Sequence, residues 1–325
     1  IASRKHKLSD PKNVVIAQKN LRDKTSGASR KVHEEIKYFS RLGHTVYVLS
    51  EVIDKTLVRQ SGGIPVKTLR WSLSDSFKRT FYRWQCERAI KKYNADFVIG
   101  HGDIFHQDVF YIHGCRHLAH ELLYGKPIDP NDPVAKMHQT IFEKGTFKVL
   151  VCNAKMMKKE FHQRFNIPLE KMVVIHPEID MDKFDPEGKE QHRHIQRDKF
   201  RVESSEVLIG LITSGNFKLR NVDLLLEATK ILKETTLSPF KILIAGKNKD
   251  PRFAAKAVSL GIQDQIIFAP SINAVEQYYY AIDIFVLPAF CEAFGRSVTE
   301  AMRCGNPVIV SPHVGCGEIL EGESR

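Results

Sequence analysis

The chain has 325 residues, too many for one ordinary core, so two domains of roughly 150 residues each are expected. Its 42% hydrophobic and 27% charged residues are the balance of a soluble globular protein, and no apolar run approaches the roughly 20 residues of a membrane-spanning helix. The formal charge of +11 implies affinity for something anionic, but nucleic acid, a phospholipid surface and phosphorylated small molecules all satisfy that, so charge alone selects none of them.

Residues 1–12 are polar and basic and are expected to be loosely held. No signal-peptide pattern opens the sequence, and Ile1 is not a start methionine, so the native N-terminus is expected to lie upstream. Residues 13–17, Asn-Val-Val-Ile-Ala, read as a buried parallel strand. After the polar loop 19–25, Ser26-Gly27-Ala28-Ser29-Arg30 opens a helix with apolar positions at Val32, Ile36, Phe39 and Leu42. Gly43-His44 ends it, and residues 45–49 form a second strand. A small-residue turn at a helix N-terminus suits a phosphate near Gly27, although GxGxxG is absent.

A short strand is predicted at 64–68 and a helix over 75–93, with Phe77, Phe81 and Trp84 at helical spacing. That helix also carries Lys78, Arg79, Arg83, Arg88, Lys91 and Lys92. It reads either as a basic amphipathic face for anionic lipid or as a surface helix with one solvated side, and the second reading weighs more. Strands follow at 96–100 and 109–112, the latter ending at His113. His113, His117 and His120 invite a metal reading, but the HExxH or cysteine-containing signature of zinc is missing. A single imidazole at the strand end, His113, is the better assignment. Residues 116–146 are helical, interrupted by the proline-rich 127–133. A strand at 147–152, a helix at 154–165 and a strand at 172–175 complete this half. The polar stretch 187–206 places the domain boundary, giving domains 1–190 and 191–325.

The second half repeats the alternation. Strands are predicted at 207–212, 241–245, 266–268, 284–287 and 308–310, with helices at 222–233, 252–260, 274–281 and after Gly295. The fold class is therefore α/β, with two Rossmann-like parallel-sheet domains facing across a cleft. Ligands of such sheets sit at the carboxyl ends of the strands, where the loop after Leu287 lies. Glu292 in that loop and Glu300 in the next helix are placed to flank one pocket. Six cysteines (86, 115, 152, 291, 304 and 316) show no CxxC pair, the pattern of reduced thiols in a cytosolic protein.

The frame Pro288-x3-Glu292-x-Phe294-Gly295-x4-Glu300-Ala-Met-x2-Gly305-x-Pro307-Val-Ile resembles the donor-site signature of retaining GT-B glycosyltransferases of family 4, group 1. The likeness extends to Ser26–Arg30 with Arg41-Leu-Gly-His44, to Cys152-Asn-Ala154, to Val173-Val-Ile-His-Pro-Glu-Ile-Asp180 with Phe184-Asp-Pro186, and to Ala281–Pro288. Asp108-Val-Phe-Tyr and the spacing from Ser214 to Asp223 are similar in particular to bacterial lipopolysaccharide core glucosyltransferases.

The resemblance implies a nucleotide-sugar donor, with UDP the common case. Glu300 would accept hydrogen bonds from the ribose hydroxyls and Glu292 would hold the sugar. Backbone groups at Ala293, Phe294, Gly295 and Arg296 would face sugar or phosphate. Lys218 and Arg220 would hold the diphosphate, with Ser214, Gly215 and Gly246 beside them and Gly27 approaching from the other domain. Ala269-Pro270-Ser271 would hold the base through its backbone. His113 would lie near the reacting sugar, so His113, Glu292, Lys218 and Arg220 form the expected catalytic set. Retention on the donor's front face needs no protein nucleophile, and neither a metal nor a cofactor is expected. The expected partners are a nucleotide-sugar, a glycan or glycolipid acceptor and the anionic inner-membrane surface, with no nucleic acid. The expected location is cytoplasmic, peripheral on the cytoplasmic membrane face.

The competing reading is a non-catalytic protein that binds anionic surfaces or nucleic acid on a degenerate GT-B shell. Intact Glu292, Phe294, Gly295 and Glu300 oppose it. A phosphorylase would want a lysine that anchors pyridoxal phosphate, and no such motif is visible. Family members run on through further helices, so truncation of the C-terminal domain is expected.

Overall fold

Runs such as Val14-Val15-Ile16 have no polar alternate, so their strands must be covered on both faces, the condition that parallel sheets meet. The computed structural model describes residues 12–23, 26–70, 74–247 and 250–320. The expectations for residues 1–11 and 321–325 therefore lie outside the described residues. The chain forms two compact units. One holds the residues up to His117 with Pro127–Ile175, and the other holds Leu118–Lys126 with the residues from His176 onward.

The first unit is built on a seven-stranded sheet in the order Ile64–Lys67, Thr45–Ser50, Asn13–Ala17, Phe97–Gly100, Val109–Tyr111, Val149–Cys152 and Met172–Val174. All neighbours are parallel. The helix Gly27–Arg41 begins where Ser26 Oγ accepts a hydrogen bond from the Ser29 amide at 3.1 Å, which satisfies one of the first-turn donors. Its Val32 and Ile36 are buried against Val14, Ile16, Val46 and Val48.

The opposite face is covered by the helix Asp75–Lys92. The residues it buries are Tyr82 and Cys86, packed with Val15, Leu49 and Val98. Phe77 and Trp84 remain exposed, and Phe77, Phe81 and Trp84 stack in succession on the outer side. Tyr82 displaces them because its hydroxyl finds the Leu49 carbonyl at 2.9 Å, the partner that a buried phenol requires.

The second unit carries a five-stranded parallel sheet in the order Ile266–Pro270, Phe240–Gly246, Val207–Ile212, Ile284–Leu287 and Val308–Val310. The helices Val222–Thr235 and Arg252–Ser259 pack on it through Leu226, Phe253 and Ala257. The polar stretch read as a separator contains a helix, Glu187–Lys199. Its arginines are structural. Arg193 donates to the carbonyls of Tyr280, Ala281 and Ile282 at 3.3, 3.1 and 3.0 Å, and Arg197 donates to those of Glu203 and Glu206 at 2.6 Å. Asp283 pairs with both. Such a helix is held by guanidinium forks rather than by an apolar stripe, which is why its sequence reads as a linker.

Candidate functional site

In the second sheet the chain starts in the middle, with two strands added on one side of Val207–Ile212 and two on the other. The order reverses between Val207–Ile212 and Ile284–Leu287, and a parallel sheet opens a crevice at the carboxyl end of that switch point. Two loops flank it, residues 213–221 and 288–295. The Phe290 amide donates to the Leu219 carbonyl at 3.0 Å. Arg220 makes an ion pair with Glu292 and reaches the Cys291 carbonyl at 3.5 Å. Both side chains of the pair are largely buried, at 17% and 20% exposure.

The loop 213–221 needs left-handed backbone at three places, Gly215 (φ +145°), Asn216 (φ +55°) and Asn221 (φ +55°). Asn216 also accepts from the Leu219 amide at 3.1 Å through its side chain. Ser214 is exposed. The Lys218 ammonium lies over the Tyr124 ring, 4.3 Å from its centroid, so the two cations of this loop have different partners.

The loop 288–295 is pinned by a segment whose part the sequence did not reveal. The Glu292 amide donates to the His313 carbonyl at 2.9 Å, the Gly315 amide to the Glu292 carbonyl at 2.9 Å, and the Cys316 amide to the Phe294 carbonyl at 2.7 Å. Phe294 and Ala293 are buried. The Phe294 ring stacks on His176 with centroids 5.3 Å apart, and His176 reaches Glu318 at 2.7 Å. Gly295 has φ +98°, and a Cβ there would lie 3.0 Å from Val314 Cγ1. Glycine is thus favoured by the backbone, and the space for a side chain is tight. It caps the helix Arg296–Arg303, in which Glu300 is 4% exposed. Tyr279, itself fully buried, donates to Glu300 Oε2 at 2.9 Å. Nothing in the motif named Tyr279; the only signal was three tyrosines in the helix one strand earlier. Burial pushes the Cys304 thiol up to about 12, the neighbouring Glu300 carboxylate adding to the effect.

Gly246 and Pro270 end the two adjacent strands, so they reach the same edge of the sheet. Gly246 has a packing reason of its own, since a Cβ there would stand 2.7 Å from Phe217 Cε1 and 2.9 Å from the Thr213 carbonyl. The Pro270 carbonyl accepts the Tyr278 hydroxyl at 3.0 Å. Thus one sheet edge gathers Ser214, Gly215, Lys218, Arg220, Gly246, Pro270 and the segment from Glu292 to Glu300.

Gly27 and His113 belong to the first unit. Gly27 is the first residue of its helix, behind the Ser26 cap. His113 follows the strand Val109–Tyr111, and its Nε2 lies 3.0 Å from His101 Nδ1. The three histidines of the metal reading have separate partners: His113 meets His101, His117 packs edge-on to Phe165, and His120 bonds the Lys126 carbonyl. Among the described residues no group of three His, Cys, Asp or Glu side chains comes together as a metal site.

Two parallel-sheet Rossmann-like domains, the second with this switch-point cluster, define the GT-B architecture. Known proteins agree. The family model for Glycosyltransferase Family 4 matches residues 25–183, and that for Glycosyl transferases group 1 matches residues 195–324. The chain belongs to this group of glycosyltransferases. Lipopolysaccharide glucosyltransferase WaaG of Escherichia coli is 25% identical over 243 residues, 71% of this chain and 62% of that protein. D-inositol 3-phosphate glycosyltransferase of Mycolicibacterium smegmatis is 26% identical over 171 residues, 50% of this chain and 37% of that protein. The chain therefore spans less than two thirds of the length of either relative. The crystal structure of WaaG superposes with a TM-score of 0.80 at 20% identity, over 94% of this chain and 83% of that one. Anabaena Alr3699/HepE in complex with UDP and glucose gives 0.71 at 14% identity, over 96% and 83%. These structural likenesses establish the fold.

Proposed function

We propose that the chain is a retaining glycosyltransferase that moves a sugar from a UDP-sugar to a hydroxyl of a glycan or glycolipid, such as a lipopolysaccharide core. The observation that carries the reading is the cluster at the second switch point, where Arg220 is paired with Glu292 and Glu300 is held by buried Tyr279. The name of WaaG and the UDP and glucose bound by Alr3699/HepE support the choice of donor and acceptor.

Glu300 takes the ribose hydroxyls through charge-assisted hydrogen bonds worth about 1.5–3 kcal/mol each. The diphosphate draws Arg220 from Glu292, which frees the carboxylate for the sugar hydroxyls. Arg220, Lys218 and the amides that open the helix Arg296–Arg303 stabilise charge on the departing diphosphate, so the reaction runs without a metal or cofactor. The leaving phosphate oxygen takes the acceptor proton on the same face, and configuration is retained. Pro270 and its neighbours hold the base through their backbone, and His113 is the imidazole this reading assigns to the reacting sugar.

The acceptor is anionic and membrane-bound in this reading, on the cytoplasmic face. The +11 charge and the basic helix Asp75–Lys92 with exposed Phe77 and Trp84 favour it. No helix among the described residues is long and apolar enough to cross a membrane. Calorimetric titration with UDP-, GDP- and ADP-sugars tests the donor. Binding of a UDP-sugar that Glu300→Gln abolishes is expected, and undiminished affinity in that variant sinks the assignment.

A further inference from the structure

The first sheet also reverses its order, between Asn13–Ala17 and Phe97–Gly100, and a chain of three titratable side chains stands at that switch point. Glu35 Oε2, from the helix Gly27–Arg41, lies 2.8 Å from His101 Nε2, and His101 Nδ1 lies 3.0 Å from His113 Nε2. The two imidazole planes lie 11° from parallel with centroids 5.2 Å apart, so the rings meet edge to edge along this hydrogen bond. Glu35 and His101 are buried, at 9% and 5% exposure. We propose that Glu35 and His101 are positioning residues that set the tautomer and the proton affinity of His113. The proposal rests on the reading of His113 as the sugar-facing imidazole of the transferase.

With Glu35 ionised and His101 neutral, the hydrogen-bond rules allow one arrangement. An ionised carboxylate only accepts, so His101 carries its proton on Nε2 and donates it to Glu35. Neutral His101 then has its lone pair on Nδ1, and His113 must donate its own Nε2 proton there. Nδ1 of His113 is left as the basic nitrogen, a hydrogen-bond acceptor. When a proton arrives at His113 Nδ1, the Nε2 proton passes to His101 Nδ1. One N–H bond breaks on His113, one forms on His101, and the positive charge comes to rest beside the Glu35 carboxylate. His113 ends neutral, but its Nδ1 has changed from acceptor to donor. The chain takes up one proton and holds the charge in a buried ion pair one residue away from the ring that meets the ligand.

Among the described residues, charged and titratable groups lie on both sides of this pair. Lys31, on the same helix as Glu35, stands 5.4 Å from the centre of the Tyr111 ring, and both imidazoles pack on that ring. Past His101, Asp103 is bound to Arg79, and half-buried His138 lies against Gly102. Glu35 is the carboxylate in direct contact with the pair.

The test is the imidazole ¹⁵N spectrum of the full chain with labelled histidine, followed from about pH 9 to pH 5. In the wild type, His113 is expected with protonated Nε2 and bare Nδ1 at high pH, and the two rings are expected to share one proton uptake as a coupled pair. Glu35→Gln keeps an acceptor for His101 but removes the charge. Its midpoint should fall by about one pH unit with the high-pH tautomer kept, and the pH profile of kcat for sugar transfer should move the same way while KM for the donor changes less. Two independent wild-type midpoints, or an unmoved midpoint in Glu35→Gln, overturn the proposal. The wild-type titration keeps the test available should the variant not fold. A shifted spectrum with an unmoved rate profile upholds the proton chain and overturns the sugar-facing reading of His113. Donor binding, read separately by calorimetry, reports on the transferase assignment alone.

Discussion

Replacing Glu292 by Gln should tighten the binding of UDP while weakening that of a UDP-sugar. The carboxylate is paired with Arg220, the two side chains being 20% and 17% exposed. A pair of unit charges 4 Å apart at an effective dielectric near 20 is worth about 4 kcal/mol. Partial exposure and salt screen much of that, which leaves about 1–2 kcal/mol for an incoming diphosphate to overcome. Gln fills the same space without the charge, so the diphosphate meets a released Arg220 and the affinity for UDP should rise about 5- to 30-fold. The sugar loses a charged acceptor for one or two hydroxyl groups, a loss of about 1.5–3 kcal/mol each. The two effects oppose each other in a UDP-sugar, so the informative quantity is the ratio of the two dissociation constants, measured by calorimetry at fixed ionic strength. A UDP affinity that falls in step with that of the UDP-sugar refutes this account of the pair.

Gly295→Ala places a side chain at φ +98°, which costs about 1–2 kcal/mol. Its Cβ would also crowd Val314, so urea unfolding should show at least that loss together with weaker donor binding. Burial pushes His138 down from 6.5 to about 4. The unfolded chain therefore takes up this proton first on acidification, and stability that is fully present above pH 6.5 should decline as the pH falls towards 4, by about 3 kcal/mol in all. In thermal melts His138→Gln should lose less over that window than the wild type, and parallel pH curves would refute the assignment. All six cysteines are buried, and Cys86, Cys152, Cys304 and Cys316 are pushed up to about 12 by burial. The folded protein should thus resist a thiol reagent at pH 7 that labels all six after denaturation.

The sheets were legible in the sequence because parallel strands are apolar on both faces, and short runs such as residues 13–17 and 207–212 match that pattern. The loop 288–295 was legible because Glu292, Gly295 and Glu300 fall within one short frame. What stayed hidden depends on contacts distant in sequence. The helix Glu187–Lys199 has almost no apolar stripe, and its Arg193 finds its carbonyl partners only once the helix Glu276–Ala281 is in place. Tyr82 and Phe81 are neighbours on one helix, and spacing alone could not say which would turn inward. The Glu35–His101 contact joins residues 66 apart, and the Arg220–Glu292 pair joins two loops that only the strand order brings together.

That pair has a consequence for turnover under the proposed function. A ligand that parts Arg220 from Glu292 must supply an anion to one and hydroxyl groups to the other, or leave a largely buried charge without compensation. Free diphosphate supplies only the anion, and a free sugar supplies only the hydroxyls. A nucleotide-sugar supplies both in one molecule and so is bound without that penalty. Once the sugar has been transferred, the nucleoside diphosphate again serves only Arg220, and re-formation of the ion pair favours its release. The carboxylate thus acts on both sides of the reaction: it admits the intact donor and expels the spent one. Glu292→Gln should accordingly slow product release as it tightens UDP, so that inhibition by added UDP grows stronger even where the chemical step is preserved.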